Sequence, residues 1–98
     1  MTIIRTSRDL VRQTRLQRGE NARQFAEWIG VRRQRVQQVE EGGHAFDADR
    51  VAAGLSHPDP ELRAFWHDYE AMRHREQTYA TIQYALTMCQ SAQEAVSQ

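Results

Sequence analysis

Residues 23–42, RQFAEWIGVRRQRVQQVEEG, decide the fold of this chain. Apolar residues recur in them at helical spacing, first Phe25, Ala26 and Ile29, then Val36 and Val39, and Gly30 stands between the two groups. That spacing predicts two short helices joined by a tight turn, because a glycine adopts the positive φ of such a turn without a Cβ penalty. Ala26 is small where the helices must cross closely, and Ile29, Val31, Val36 and Val39 form a wedge that sets the angle between them. Asn21 with Gln24 three residues on reads as a capping box for the first helix, and Gly42-Gly43 stops the second, expected over about Arg32 to Glu40.

With the valines turned inward, Arg33, Gln34, Gln37 and Gln38 are left on the outer face of the second helix. The pairs 33/37 and 34/38 are each one turn apart, so the four side chains form one strip. Arginine can fork onto guanine O6 and N7, and glutamine can grip adenine N6 and N7. Each good bidentate pair contributes about 1–3 kcal/mol of base discrimination, so the strip is suited to a DNA major groove. Arg32, Arg33 and Arg35 crowd the start of this helix, where the macrodipole disfavours cations by about 0.3–1 kcal/mol each. A phosphate arriving there reverses the sign, which makes Arg32 and Arg35 candidate phosphate ligands.

Outward from this segment, Gly19, Gly30, Gly42-Gly43, Gly54, Pro58 and Pro60 divide the chain, and no stretch shows sustained two-residue alternation. The expected fold is therefore all-α: a compact helix-turn-helix domain of about four short helices over residues 1–57, then a long C-terminal helix over 58–98. A first helix runs from Ser7, read as its N-cap, to about Arg18, with Leu10, Val11 and Thr14 on one face. A fourth runs from about Asp47 to Leu55 and presents Val51, Ala52 and Leu55, and Pro60 suits the first position of the helix after it.

Beyond Glu61 nothing breaks a helix. Leu62, Phe65, Tyr69, Met72, Tyr79, Ile82, Leu86 and Cys89 step close to a 3-4 alternation, with polar Glu76 interrupting the seam. Such a stripe is buried by the chain's own core, by a hairpin near Arg73–Gln77, or by a second subunit. Because 73–77 holds no turn residue, the seam Leu62, Phe65, Tyr69, Met72, Tyr79, Ile82 and Leu86 is read as a homodimer interface. Cys89 is read as a small packing residue.

Arg15 to Glu40 and the residues between them resemble the phage repressor and Cro-type helix-turn-helix proteins, often called the Xre family. The resemblance covers about Leu10 to Leu55 and is strongest at Ala26, Gly30-Val31, Val36, Val39-Glu40 and Gly42. It implies an ion pair between Arg15 and Glu40, and base contacts from Arg33, Gln34 and Gln38. The chain departs from the family pattern in three places. Glu20 stands where an apolar residue is usual, Ala22 where a phosphate-binding Gln is usual, and Arg32 where a Ser or Thr cap is usual. The resemblance then hands the lost phosphate contact to Asn21 and Arg23. Trp28 sits at a position usually polar in the family; packing on the C-terminal helix, on a partner or over the first helix are all open to it.

Composition narrows the partners. The formal net charge is zero, but residues 1–42 carry nine Arg against five acidic residues, and 43–98 carry four Arg against eight. The basic half is the one able to meet a polyanion, so double-stranded DNA is the expected partner. The single cysteine excludes an intrachain disulfide or a cysteine-based zinc site, and His67 and His74, seven apart, miss the usual i, i+4 metal spacing. No metal, cofactor or enzymatic activity is expected, since neither a paired-carboxylate nor a nucleophile-base pattern occurs. No membrane-length apolar run and no signal-peptide core is seen, so the expected compartment is the cytoplasm. Two functions fit: a homodimeric repressor binding a pseudo-palindromic operator, and an antitoxin whose acidic tail covers a small basic protein partner while its head represses their operon. A scaffold that has lost DNA binding is a third.

Overall fold

The structure, a computed structural model, describes residues 4–97, with side chains over residues 4–88. Five helices follow in order: α1 (Ser7–Gln17), α2 (Ala22–Ile29), α3 (Arg33–Glu40), α4 (Ala48–Leu55) and α5 (Pro60–Ser97). No strand occurs among the described residues, and the all-α expectation holds. Cys89 lies outside the described side chains.

Local chemistry explains the helix starts. Asn21 Oδ1 accepts the Gln24 N–H at 2.9 Å while Gln24 Oε1 accepts the Asn21 N–H at 3.0 Å, completing the expected capping box of α2. Asp47 caps α4 by accepting the Arg50 N–H at 2.8 Å. The start of α1 differs from expectation. Thr6, not Ser7, is the N-cap, and its hydroxyl accepts the Asp9 N–H at 3.1 Å. Ser7 is buried, and its N–H and Oγ–H both donate to the Glu76 carboxylate, at 2.6 and 3.0 Å. Glu76, read in sequence as a flaw in an apolar seam, is thus a long-range cap for α1, with Arg73 holding it at 3.1 Å.

α2 packs on α3, α1 on α3 and α5, and α4 on α5. The core they enclose contains Val11, Phe25, Ile29, Val36, Phe46, Leu62, Phe65, Trp66 and Tyr69, among others. It is rich in edge-to-face aromatic contacts: Phe25 on Phe65 at 5.6 Å, Phe46 on Trp66 at 5.2 Å and Trp66 on Tyr69 at 5.9 Å between ring centroids. Tyr69 accepts the Phe46 N–H on its hydroxyl at 3.0 Å, which ties the segment after α3 to α5. Burial raises the Tyr69 pKa above its ordinary value of 10.0, outweighing the opposing pull of the Phe46 hydrogen bond.

Two sequence expectations are corrected by this core. Leu62, Phe65 and Tyr69 are sealed within the chain itself, so these three are not free to form a subunit interface, and Met72 packs half-buried against the same core. For the same reason the division at residue 57 does not separate two packing units, because α5 up to Glu76 supplies one wall of the first domain's core. The side chains of α5 from Gln77 to Met88 are exposed, among them Tyr79, Ile82 and Leu86. α5 runs without a hairpin, and its 38 residues at 1.5 Å rise extend about 57 Å.

α4 also turns a different edge inward than expected. Val51 and Leu55 are half-buried and Ala52 is exposed, while Gly54 is the buried residue. A Cβ on Gly54 would sit 2.5 Å from Trp66 Nε1 and closer still to Cγ and Cδ1. The glycine, one residue before the end of α4, therefore also marks the point where the helix lies directly on the indole.

Candidate nucleic-acid interface

The turn between α2 and α3 is built from Gly30, Val31 and Arg32. Gly30 has φ 79°, and the Gly30 and Val31 N–H groups both donate to Ala26 O, at 2.9 and 3.0 Å. Val31 packs half-buried against the core, and Val36 and Val39 are buried, so the wedge expected from sequence fixes α3 against α2.

That anchoring leaves Arg33, Gln34, Gln37 and Gln38 exposed on one side of α3. Among the described residues, no hydrogen bond or ion pair occupies any of these four side chains. Arg32 is the N-cap of α3 and makes no side-chain cap hydrogen bond, so the cationic, uncapped helix start read from the sequence is present as such. Arg32 and Arg35 are exposed beside it and line a common recess.

The other two phosphate candidates stand at the start of α2. Asn21 has its carbonyl oxygen engaged in the cap, which leaves the amide N–H groups as its outward donors. Arg23 is exposed and lies 4.0 Å from Glu27 one turn on, a surface pair worth little against a phosphate.

Arg15 and Glu40 meet as expected. Arg15 Nε donates to both carboxylate oxygens at 3.1 and 3.2 Å and Nη2 to Oε1 at 2.9 Å, while Nη1 donates to Glu20 O at 3.3 Å. The pair clamps the C-terminal end of α3 to α1, and it neutralises an acid at the helix end where the macrodipole disfavours one.

The departures at Glu20 and Trp28 also find a physical reason. The Arg18 guanidinium lies 3.7 Å over the Trp28 ring and pairs with Glu20 and with Glu61, the latter at 2.6 Å. Trp28 in turn meets Phe25 at 5.7 Å and Phe65 at 5.9 Å. A charged cluster tied to an aromatic lid thus takes the place of an apolar contact between α1, α2 and α5.

Sequence reading missed Arg50. Its guanidinium reaches back from α4 to the α2–α3 turn, where Nη1 would lie 3.0 Å from a Cβ on Gly30. Nothing local in the sequence signals that reach across 20 residues. Among the described residues no group of three or more His, Cys, Asp and Glu side chains is placed to hold a metal ion, and no helix is long and apolar enough to cross a membrane. Comparison with protein families, characterised proteins and solved structures finds no match to this chain.

Proposed function

We propose that the chain is a homodimeric, sequence-specific DNA-binding regulator of the Xre type, acting as a repressor. The observation that carries this reading is the strip Arg33, Gln34, Gln37, Gln38: four long polar side chains exposed on a helix whose opposite face is locked by buried valines. Three carboxamides and one guanidinium are chemistry for reading base edges, not merely for attracting a polyanion. Arg33, Gln34 and Gln38 would contact bases, with Gln37 beside them, and Asn21, Arg23, Arg32 and Arg35 would hold the flanking phosphates. Repression asks only that the operator be occupied.

The dimer would form through the exposed part of α5. Tyr79, Ile82 and Leu86 lie at 3-4 spacing, 65%, 51% and 53% exposed, and a second copy would bury them as a two-helix seam. A two-fold dimer presents its recognition helices about 34 Å apart, to successive major grooves of a pseudo-palindrome.

Tyr84 and Met88 favour a second reading. They are 69% and 54% exposed and lie on the opposite side of α5 from that seam, where a homodimer would leave them uncovered. An antitoxin would use this face for a small basic protein. In that case Tyr84→Glu would abolish co-purification of the small protein while leaving the homodimer and DNA binding intact.

Selection from a random duplex pool tests the primary reading. Wild type should enrich paired half-sites about one helical turn apart, and Gln34→Ala should lose preference at one base pair of each half-site. Failure to enrich any sequence would refute it.

A further inference from the structure

The recess at the α2–α3 turn has a volume of about 480 Å³ and is lined by Gly30, Arg32, Arg35, Phe46, Asp47 and Arg50, among others. Three arginines thus line one concavity, contributed by a helix cap, the first turn of α3 and the first turn of α4. Among the described residues none of the three pairs with a carboxylate. Asp47 is the one acid lining the recess, and its Oδ1 accepts the Arg50 N–H as the cap of α4. Formal charge in the recess is therefore two units positive, at the N-terminus of a helix whose first-turn N–H groups receive no side-chain acceptor.

An excess of like charge in one recess is unfavourable in a folded chain, and long arginines on a surface are free to point elsewhere. Arg50 instead folds back over Gly30, the one residue type that supplies both the φ of 79° and the space for its guanidinium. We propose that Arg50, with Arg32 and Arg35, forms a phosphodiester-binding site that seats one DNA backbone phosphate beside the groove entered by α3. This rests on the DNA-binding reading and adds to it a ligand from outside the helix-turn-helix. The bound phosphate supplies the missing cap of α3, which couples backbone register to the placement of the reading strip. The same chemistry would accept a free phosphate, so the source has to be separated by experiment.

The test compares full-length wild type, Arg50→Ala, Arg50→Lys and Arg63→Ala by fluorescence anisotropy. Each is titrated with a duplex selected by the wild type and with an unrelated duplex over a range of salt. Arg Nε–H resonances of the wild type are followed in parallel during titration with inorganic phosphate alone. Arg50→Ala should bind both duplexes about tenfold more weakly and flatten the log–log salt slope by about one unit, while Arg50→Lys keeps the slope and Arg63→Ala changes neither. Inorganic phosphate lacks the other contacts of a duplex, so at millimolar concentration it should not saturate the Arg50 resonance. If wild type binds the duplex and Arg50→Ala keeps its slope and affinity, the phosphate site is wrong and the DNA-binding reading stands. Saturable phosphate binding at Arg50 without duplex binding would overturn both and identify a free-anion site. No response to either ligand would also overturn both.

Discussion

Placing a methyl group at position 54 sets two known effects against each other. Alanine in place of a helical glycine removes a backbone-entropy cost of about 0.8–1 kcal/mol, so by propensity alone Gly54→Ala would stabilise α4. In the structure the added Cβ would stand 2.5 Å from Trp66 Nε1 and nearer to two ring carbons, more than an ångström inside ordinary carbon contact. The indole has no room to retreat, being fully buried with Phe46, Phe65 and Tyr69 against it. α4 must lift away from α5 instead, and overpacking of that kind costs about 3 kcal/mol or more. The net loss is about 2 kcal/mol, which for a domain of this size lowers Tm by roughly 8–16 °C. Thermal and urea unfolding at one fixed protein concentration measure it, and the Trp66→Leu background supplies a double-mutant cycle in which Gly54→Ala should cost much less. A rise in Tm on Gly54→Ala alone would show that propensity wins and that α4 does not lie on the indole as described.

Three further outcomes are expected. Glu76→Gln removes the charge that caps α1 and should cost about 1–2 kcal/mol in urea unfolding, with backbone amide exchange accelerating at the start of α1 first. Tyr69 keeps its proton longer in the folded than in the unfolded chain, so its contribution is intact below pH 10 and is lost as pH rises through its raised folded pKa. Alkaline unfolding should therefore be steeper in wild type than in Tyr69→Phe, and an equal slope would remove the phenol from the linkage. Ile82→Asp with Leu86→Asp should give a folded monomer by sedimentation with an unchanged near-ultraviolet spectrum, since both positions lie beyond the core.

Most of the fold was legible because its signals are local. The capping box at Asn21, the Gly30 turn and the buried valines of α3 depend on residues within one or two helical turns of each other, and they stand as read. What sequence could not decide was the partner of an apolar stripe. Leu62, Phe65 and Tyr69 have the spacing of a dimer seam, yet the same spacing serves a helix that closes its own domain, and three-dimensional proximity chose the second. Glu76 was opaque for a related reason, since its partner Ser7 is 69 residues away. Gly54 did carry a signal: a glycine inside a helical stretch marks either a break or a close approach, and the bulk of Trp66 twelve residues later decides which.

For the candidate interface, outward orientation of Arg33, Gln34, Gln37 and Gln38 followed directly from helical geometry once Val36 and Val39 were placed inside. Arg50 did not follow, because its position depends on the path from α3 to α4, which is set by Phe46 packing on Trp66 and hydrogen bonding to Tyr69.

Side-chain amide spectra of the protein on a selected duplex probe base reading at the atoms concerned. The Gln34 and Gln38 Nε2 groups should shift on binding and show intermolecular contacts to base protons in the major groove, while Arg33 Nε–H becomes protected. Unperturbed α3 amides, with contacts appearing instead on α4 or α5, would contradict a recognition role for this helix.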